Sequence, residues 1–103
     1  MQNIKRETPK VYDAFRNLTS AIDESTSVDS KTKELILIGI FTADKALRGI
    51  DTHTRLALKH GASKEEIVAA IVYALPIVGI PSVTSALGKA LEVIEEINQK
   101  TEK

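Results

Sequence analysis

Leu35-Ile36-Leu37-Ile38-Gly39-Ile40-Phe41 is the stretch whose reading decides the fold. Seven apolar residues in succession, with no polar face, suit either a buried strand or a helix covered on all sides. The flanks choose between the two. The lead-in is Lys31-Thr32-Lys33-Glu34, and no turn signal follows through Leu47. We therefore read the run as the heart of a helix that Asp29 or Ser30 caps. Such a helix needs cover on every side, and a chain of 103 residues has little other material to supply it. The expectation is that subunits pack against one another.

Working outward, Thr8-Pro9 reads as a helix start, a capping hydroxyl with proline at the first helical position. Val11, Phe15, Leu18 and Ile22 recur at helical spacing behind it, and the polar stretch Asp23 to Ser27 ends that helix. Downstream, a third helix is expected over about Ala46 to His60, stopped by Gly61 as a left-handed C-terminal cap. Gly49 weakens its first turn. Ser63-Lys64-Glu65-Glu66 is a capping box that opens a fourth helix, with Ile67, Ala70, Ile71 and Ala74 inward. Pro76 ends or kinks it. Pro81 starts a fifth helix carrying Val83, Leu87, Leu91, Ile94 and Ile97, which frays from about Asn98. The reading is a single all-α domain of about five helices over residues 1–103.

Composition bounds the function. Hydrophobic residues make up 43% of the chain, more than a small monomer easily hides, while aromatics are 4%, so the core is aliphatic. Fourteen basic and fourteen acidic side chains cancel, which favours neither nucleic acid nor an anionic membrane as a partner. There is no cysteine, which excludes disulfides, thiolate metal sites and thiol peroxidase chemistry in this chain. No apolar signal core follows Met1 and no segment approaches bilayer length, so a cytoplasmic location is expected. Plentiful Ile, Lys and Glu lean towards a heat-adapted source.

Ala46, Gly49, His53, Ala57 and His60 follow one another in steps of three or four and so form one helical stripe. A Glu beside a His makes a general acid or base, because the carboxylate fixes the imidazole tautomer and stabilises its cation. The order runs Glu34, eleven residues, Ala46, two residues, Gly49, three residues, His53. Lys33-Glu34-Leu35-Ile36, Gly61-Ala62-Ser63, Glu66-Ile67 and Gly79-Ile80-Pro81 accompany it. Together they resemble the carboxymuconolactone decarboxylase and alkyl hydroperoxidase D (AhpD-like) family over about Asp29 to Glu95.

That resemblance implies an all-helical fold built on a helical hairpin. It also implies homo-oligomers, either hexamers assembled as trimers of dimers or trimers. In the redox branch the two spaced sites are cysteines and a His stands where this chain has Arg48. Here those sites are Ala46 and Gly49, so the dithiol peroxidase activity is not carried over. The decarboxylase branch works without the cysteine pair. By that likeness His53 moves a proton, Glu34 orients His53, and Arg48 clamps a substrate carboxylate with its planar fork. Ala46 and Gly49 would leave room beside His53 for a small ligand. No cofactor and no metal is called for; His53 and His60 share a stripe, but no third ligand is in register.

Bland readings stand beside these. His53 as a hydrogen-bonded core residue, Glu34 as a first-turn acid favoured by the helix dipole, and Arg48 as a salt-bridge residue are all physically ordinary. Tyr12 and Tyr73 read as core or interface, and His60 as a cation at a helix end. Three functions stay open. One is a decarboxylase-like lyase acting on a small carboxylated substrate. Another is a non-catalytic oligomeric scaffold or binding module. The last is an oxidative-stress role in which a partner supplies the thiols.

Overall fold

The computed structural model describes residues 1–102, and it is helical throughout. Seven helical segments follow in order: α1 (Gln2–Glu7), α2 (Pro9–Glu24), α3 (Ser30–Ala43), α4 (Leu47–Lys59), α5 (Lys64–Val72), α6 (Leu75–Val78) and α7 (Ile80–Glu102). The five expected from periodicity are α2, α3, α4, α5 and α7. The two additions are short. Gly79, at φ +84°, closes α6, and Pro76 in its first turn needs no N–H partner there.

The caps largely follow the sequence. Asp29 accepts from the Thr32 N–H and starts α3; the Thr32 side chain, followed by that backbone bond, holds the Asp29 carboxyl below its ordinary value. Ser63 and Glu66 form a reciprocal capping box on α5. The backbone N–H of Ser63, followed by the Lys31 ammonium, lowers the Glu66 pKa, and the Lys31–Glu66 pair ties α3 to α5. Gly61, at φ +92°, closes α4 through bonds from Gly61 N to Leu58 O and from Ala62 N to Ala57 O.

Two local expectations are corrected. Thr8 does not cap α2: its hydroxyl donates back to the Ile4 carbonyl and so completes α1. The C-terminal helix does not fray at Asn98. Lys100 reaches Glu96 and Gln99 reaches Glu95, each one turn earlier, which supports the last turns.

The core lies between α3, α4, α5 and α7. Ile38, Ile50, Ala57, Ile67, Ile71 and Ala90 are fully buried there. Alanines and isoleucines let the helices approach closely, as the low aromatic content requires. α2 stands apart: none of its residues is buried, and Val11, Phe15, Leu18 and Ile22 leave about half of their surface in water. Tyr73 is 83% exposed and so is not a core residue. Among the described residues, no helix is long and apolar enough to cross a membrane.

Arg55 links α4 to α7. It donates to Asp51 on its own helix and to Glu96 across the interface. The Arg55 hydrogen bond is the main cause that lowers both carboxyl pKa values, from 3.8 for Asp51 and 4.5 for Glu96. A carboxyl whose folded pKa lies below its unfolded value stabilises the fold above the unfolded value, and that stabilisation is lost as pH falls through the folded value. Urea midpoints measured between about pH 6 and about pH 3 are therefore expected to fall. In Arg55→Gln the fall is smaller, because the shared donor is gone. An identical fall in both proteins would show that the triad contributes nothing to acid stability.

Candidate functional site

α3 and α4 form an antiparallel hairpin, and its register builds the site. Glu34, Ile38 and Phe41 fall on one face of α3, and Gly49 and His53 on one face of α4. The hairpin sets Glu34 against His53 and Phe41 against Gly49. Glu34 is 5% exposed, and His53 Nδ1 lies 2.5 Å from its Oε1. A carboxylate taken out of water at that depth needs such a partner. Glu34 is the fifth residue of α3, and the first turn holds no acid, so the dipole reading of Glu34 fails.

The geometry assigns the ring atoms. Nδ1–H donates to the carboxylate, which leaves Nε2 as the edge that exchanges protons with anything outside. Nε2 has no hydrogen-bond partner among the described residues, and the His53 side chain is 21% exposed. Phe41 covers one face of the imidazole, with ring centroids 5.0 Å apart and planes 23° from parallel. His53 is thus held at one edge and one face, and free at the other edge.

The room expected beside His53 is filled. An added Cβ at Gly49 would sit 2.4 Å from Phe41 Cδ1 and 2.6 Å from Cγ. The absent side chain lets the Phe41 ring lie on the α4 backbone, so neither Gly49 nor Ala46 opens a cavity within one chain. Ala46 is the N-cap of α4 rather than part of its helical stripe. The link before it is a left-handed closure without glycine: Lys45 has φ +58°, with Lys45 N bonded to Thr42 O and Ala46 N to Phe41 O. Arg48 is exposed and sits five residues before His53, about 140° round the helix. The structure does not bring it to the pair within one chain. His60 is exposed at the end of α4.

Phe41 is the residue that sequence reasoning passed over. It was counted only as the last member of an apolar run. Its spacing of seven from Glu34, opposite a glycine four residues before His53, was the available signal of a large side chain meeting a bare backbone.

With that geometry in view, the comparisons with known proteins are decisive about kinship. The model of the carboxymuconolactone decarboxylase family matches residues 9–92. The chain belongs to this family. The match takes in α2, which the motif likeness from Asp29 onward had left out. An uncharacterised protein of Methanocaldococcus jannaschii is 30% identical over 98 residues, covering 94% of this chain and 90% of its own. An uncharacterised protein of the cox locus of Paracoccus denitrificans is 29% identical over 93 residues, covering 90% and 83%. Among solved structures, the apo form of a carboxymuconolactone decarboxylase family protein from Legionella pneumophila superposes with a TM-score of 0.79. It is 27% identical and covers 92% of this chain and 84% of its own.

The Phe41–Gly49 contact sets a test of this geometry. Gly49→Ala gains about 1 kcal/mol of helix propensity but forces the ring aside, an overpacking cost of about 1–3 kcal/mol. The variant is expected to unfold at a lower temperature than the parent. In a Phe41→Leu background the same change is expected to be neutral or stabilising. Equal effects in the two backgrounds would remove the steric argument.

Proposed function

We propose that this member of the carboxymuconolactone decarboxylase family performs acid/base chemistry on a small carboxylated substrate, of the decarboxylase kind. His53 moves the proton through Nε2, and Glu34 fixes the ring through Nδ1. The contact between Glu34 and His53 carries this reading. A buried carboxylate stabilises the imidazolium when Nε2 takes a proton and prevents the ring from turning. The absence of cysteine leaves no redox nucleophile in the chain. Arg48 enters the reading as a carboxylate clamp only from a neighbouring copy, since it stands away from His53 on its own helix.

Turnover of a panel of small carboxylated lactones and keto acids, followed by carbon dioxide release, tests the proposal. His53→Ala is expected to lower the rate of any active substrate by about 100-fold or more, and Glu34→Gln by about tenfold, with the helical content kept. Unchanged turnover in His53→Ala sinks the assignment. The second reading, a non-catalytic oligomeric scaffold, has its own support in the Phe41 ring packed over His53 and Gly49. Inactivity of the parent protein across the panel would leave that reading standing.

We further propose that the chain is a homo-oligomer, with the apolar stripe of α2 covered by another copy. Val11, Phe15, Leu18 and Ile22 on α2, together with Ile36 and Ile40 on α3, are each at least 44% exposed. Large apolar side chains left half in water along one helix suit cover by another copy. Sedimentation velocity is expected to give a trimer or hexamer for the parent and a smaller species for Phe15→Glu with Leu18→Glu. A parent that sediments as a monomer refutes it.

A further inference from the structure

We propose that the turn joining α5, α6 and α7 is a second docking surface, separate from the stripe of α2, and that its occupant is the same turn of another copy, related by a two-fold axis. The sequence marks the surface first. Residues 67–88 hold no charged side chain, in a chain where 27% of residues are charged. One side of that segment belongs to the core, with Ile67, Ile71, Val83 and Ala86 buried. The other side does not. Val72 and Ile80 are exposed, and Tyr73 at 83% and Ile77 at 84% are the most exposed large apolar side chains among the described residues. Bonds from Ile77 N to Ala74 O and from Gly79 N to Leu75 O satisfy the backbone of the turn, so a formed surface presents these side chains.

Surface area says how much cover is missing. A folded monomer of 11.2 kDa exposes about 5,700 Å², whereas this chain exposes 7251 Å². The difference, about 1,500 Å², is close to what two interfaces take from one partner at about 800 Å² each. On the proposal above, the α2 stripe accounts for one of them. The turn from Val72 to Ile80 is where the second has its apolar centre.

Charge and shape then select the occupant. A strongly acidic or basic partner finds no counter-charge on this segment, and its own charges would lose water without gaining a partner. A lipid surface finds no Lys or Arg on it to hold headgroups. An identical turn brings no charge to the centre. The nearest charges on α5, Lys64 and Glu65, lie beside Val68 and Val72 and are of opposite sign, so two copies meet without a like-charge excess at that rim. The face also carries both halves of a fit. Ala69, Val72, Tyr73 and Pro76 line an open hollow of about 270 Å³, the share of about nine waters in the liquid, and Ile77 projects next to Pro76. A two-fold contact needs knob and hole on the same surface, so that the Ile77 of each copy seats in the hollow of the other.

The chain has no cysteine, so single cysteines report contacts without background. Ile77→Cys treated with a short bis-maleimide is expected to give covalent dimers in a yield at least about fivefold above that of Lys59→Cys, which is exposed at the end of α4. Phe15→Glu with Leu18→Glu is expected to keep the Ile77→Cys cross-link, so failure here and failure of the α2 proposal are read separately. Tyr73→Glu with Ile77→Glu changes two side chains already in water within one chain. That variant is expected to keep its helical content and to sediment at half the parent mass. Cross-links that form only when Ile77→Cys is mixed with Phe15→Cys make the α2 stripe the occupant and overturn the proposal. A parent with an odd number of subunits, or an unchanged mass in the Tyr73→Glu, Ile77→Glu variant, overturns it as well. Binding of the parent but not of that variant to phosphatidylcholine vesicles, without the Ile77→Cys cross-link, overturns it in favour of a lipid surface.

Discussion

The contact between Glu34 and His53 is the constraint on which the rest of the hairpin depends. A carboxylate at 5% exposure is stable only with a donor against it. Sliding α3 along α4 by a residue would strand Glu34 in the interior without one. The pairing of charge to imidazole therefore fixes the helix register, and the register places Phe41 over the bare backbone of Gly49. Ile38 and Ile50 bury themselves fully in the space between. One polar contact thus specifies an interface whose stabilisation comes almost entirely from aliphatic burial.

Much of this was legible in the residues. The run Leu35 to Phe41 could be assigned to a helix from its flanks, and Asp29, Ser63 and Gly61 marked helix ends because their side chains, or the lack of one, solve a backbone problem locally. Glu34 and His53 were legible as a pair through family spacing. What was hidden depends on long-range packing. Thr8 carries the same capping chemistry as Ser63, yet its hydroxyl bonds backwards because a short helix precedes it. The α3–α4 turn carries neither glycine nor proline, so nothing in Asp44-Lys45-Ala46 announces a left-handed residue. Space beside His53 was inferred from two small residues, but volume belongs to the neighbours, and Phe41 took it.

The Phe41 ring borders two features. On one side it covers a face of the His53 imidazole; on the other it lines a small pocket between the end of α3 and the start of α7. A side chain that began as the end of an apolar run therefore sets both the exposure of the histidine and the shape of the space next to it.

The exposed α2 has a consequence for the order in which the chain becomes structured. The body from α3 to α7 is held by the α3–α4 hairpin and by the packing of α7 on α4 and of α5 on α3. α2 has no buried residue to recruit it to that body. If another copy covers it, as proposed above, α2 acquires its final surroundings late, and until then it presents an apolar stripe to every other chain in solution. Rapid synthesis of this protein therefore carries a hazard that its folded stability does not measure: the interval between the closing of the body and the covering of its arm.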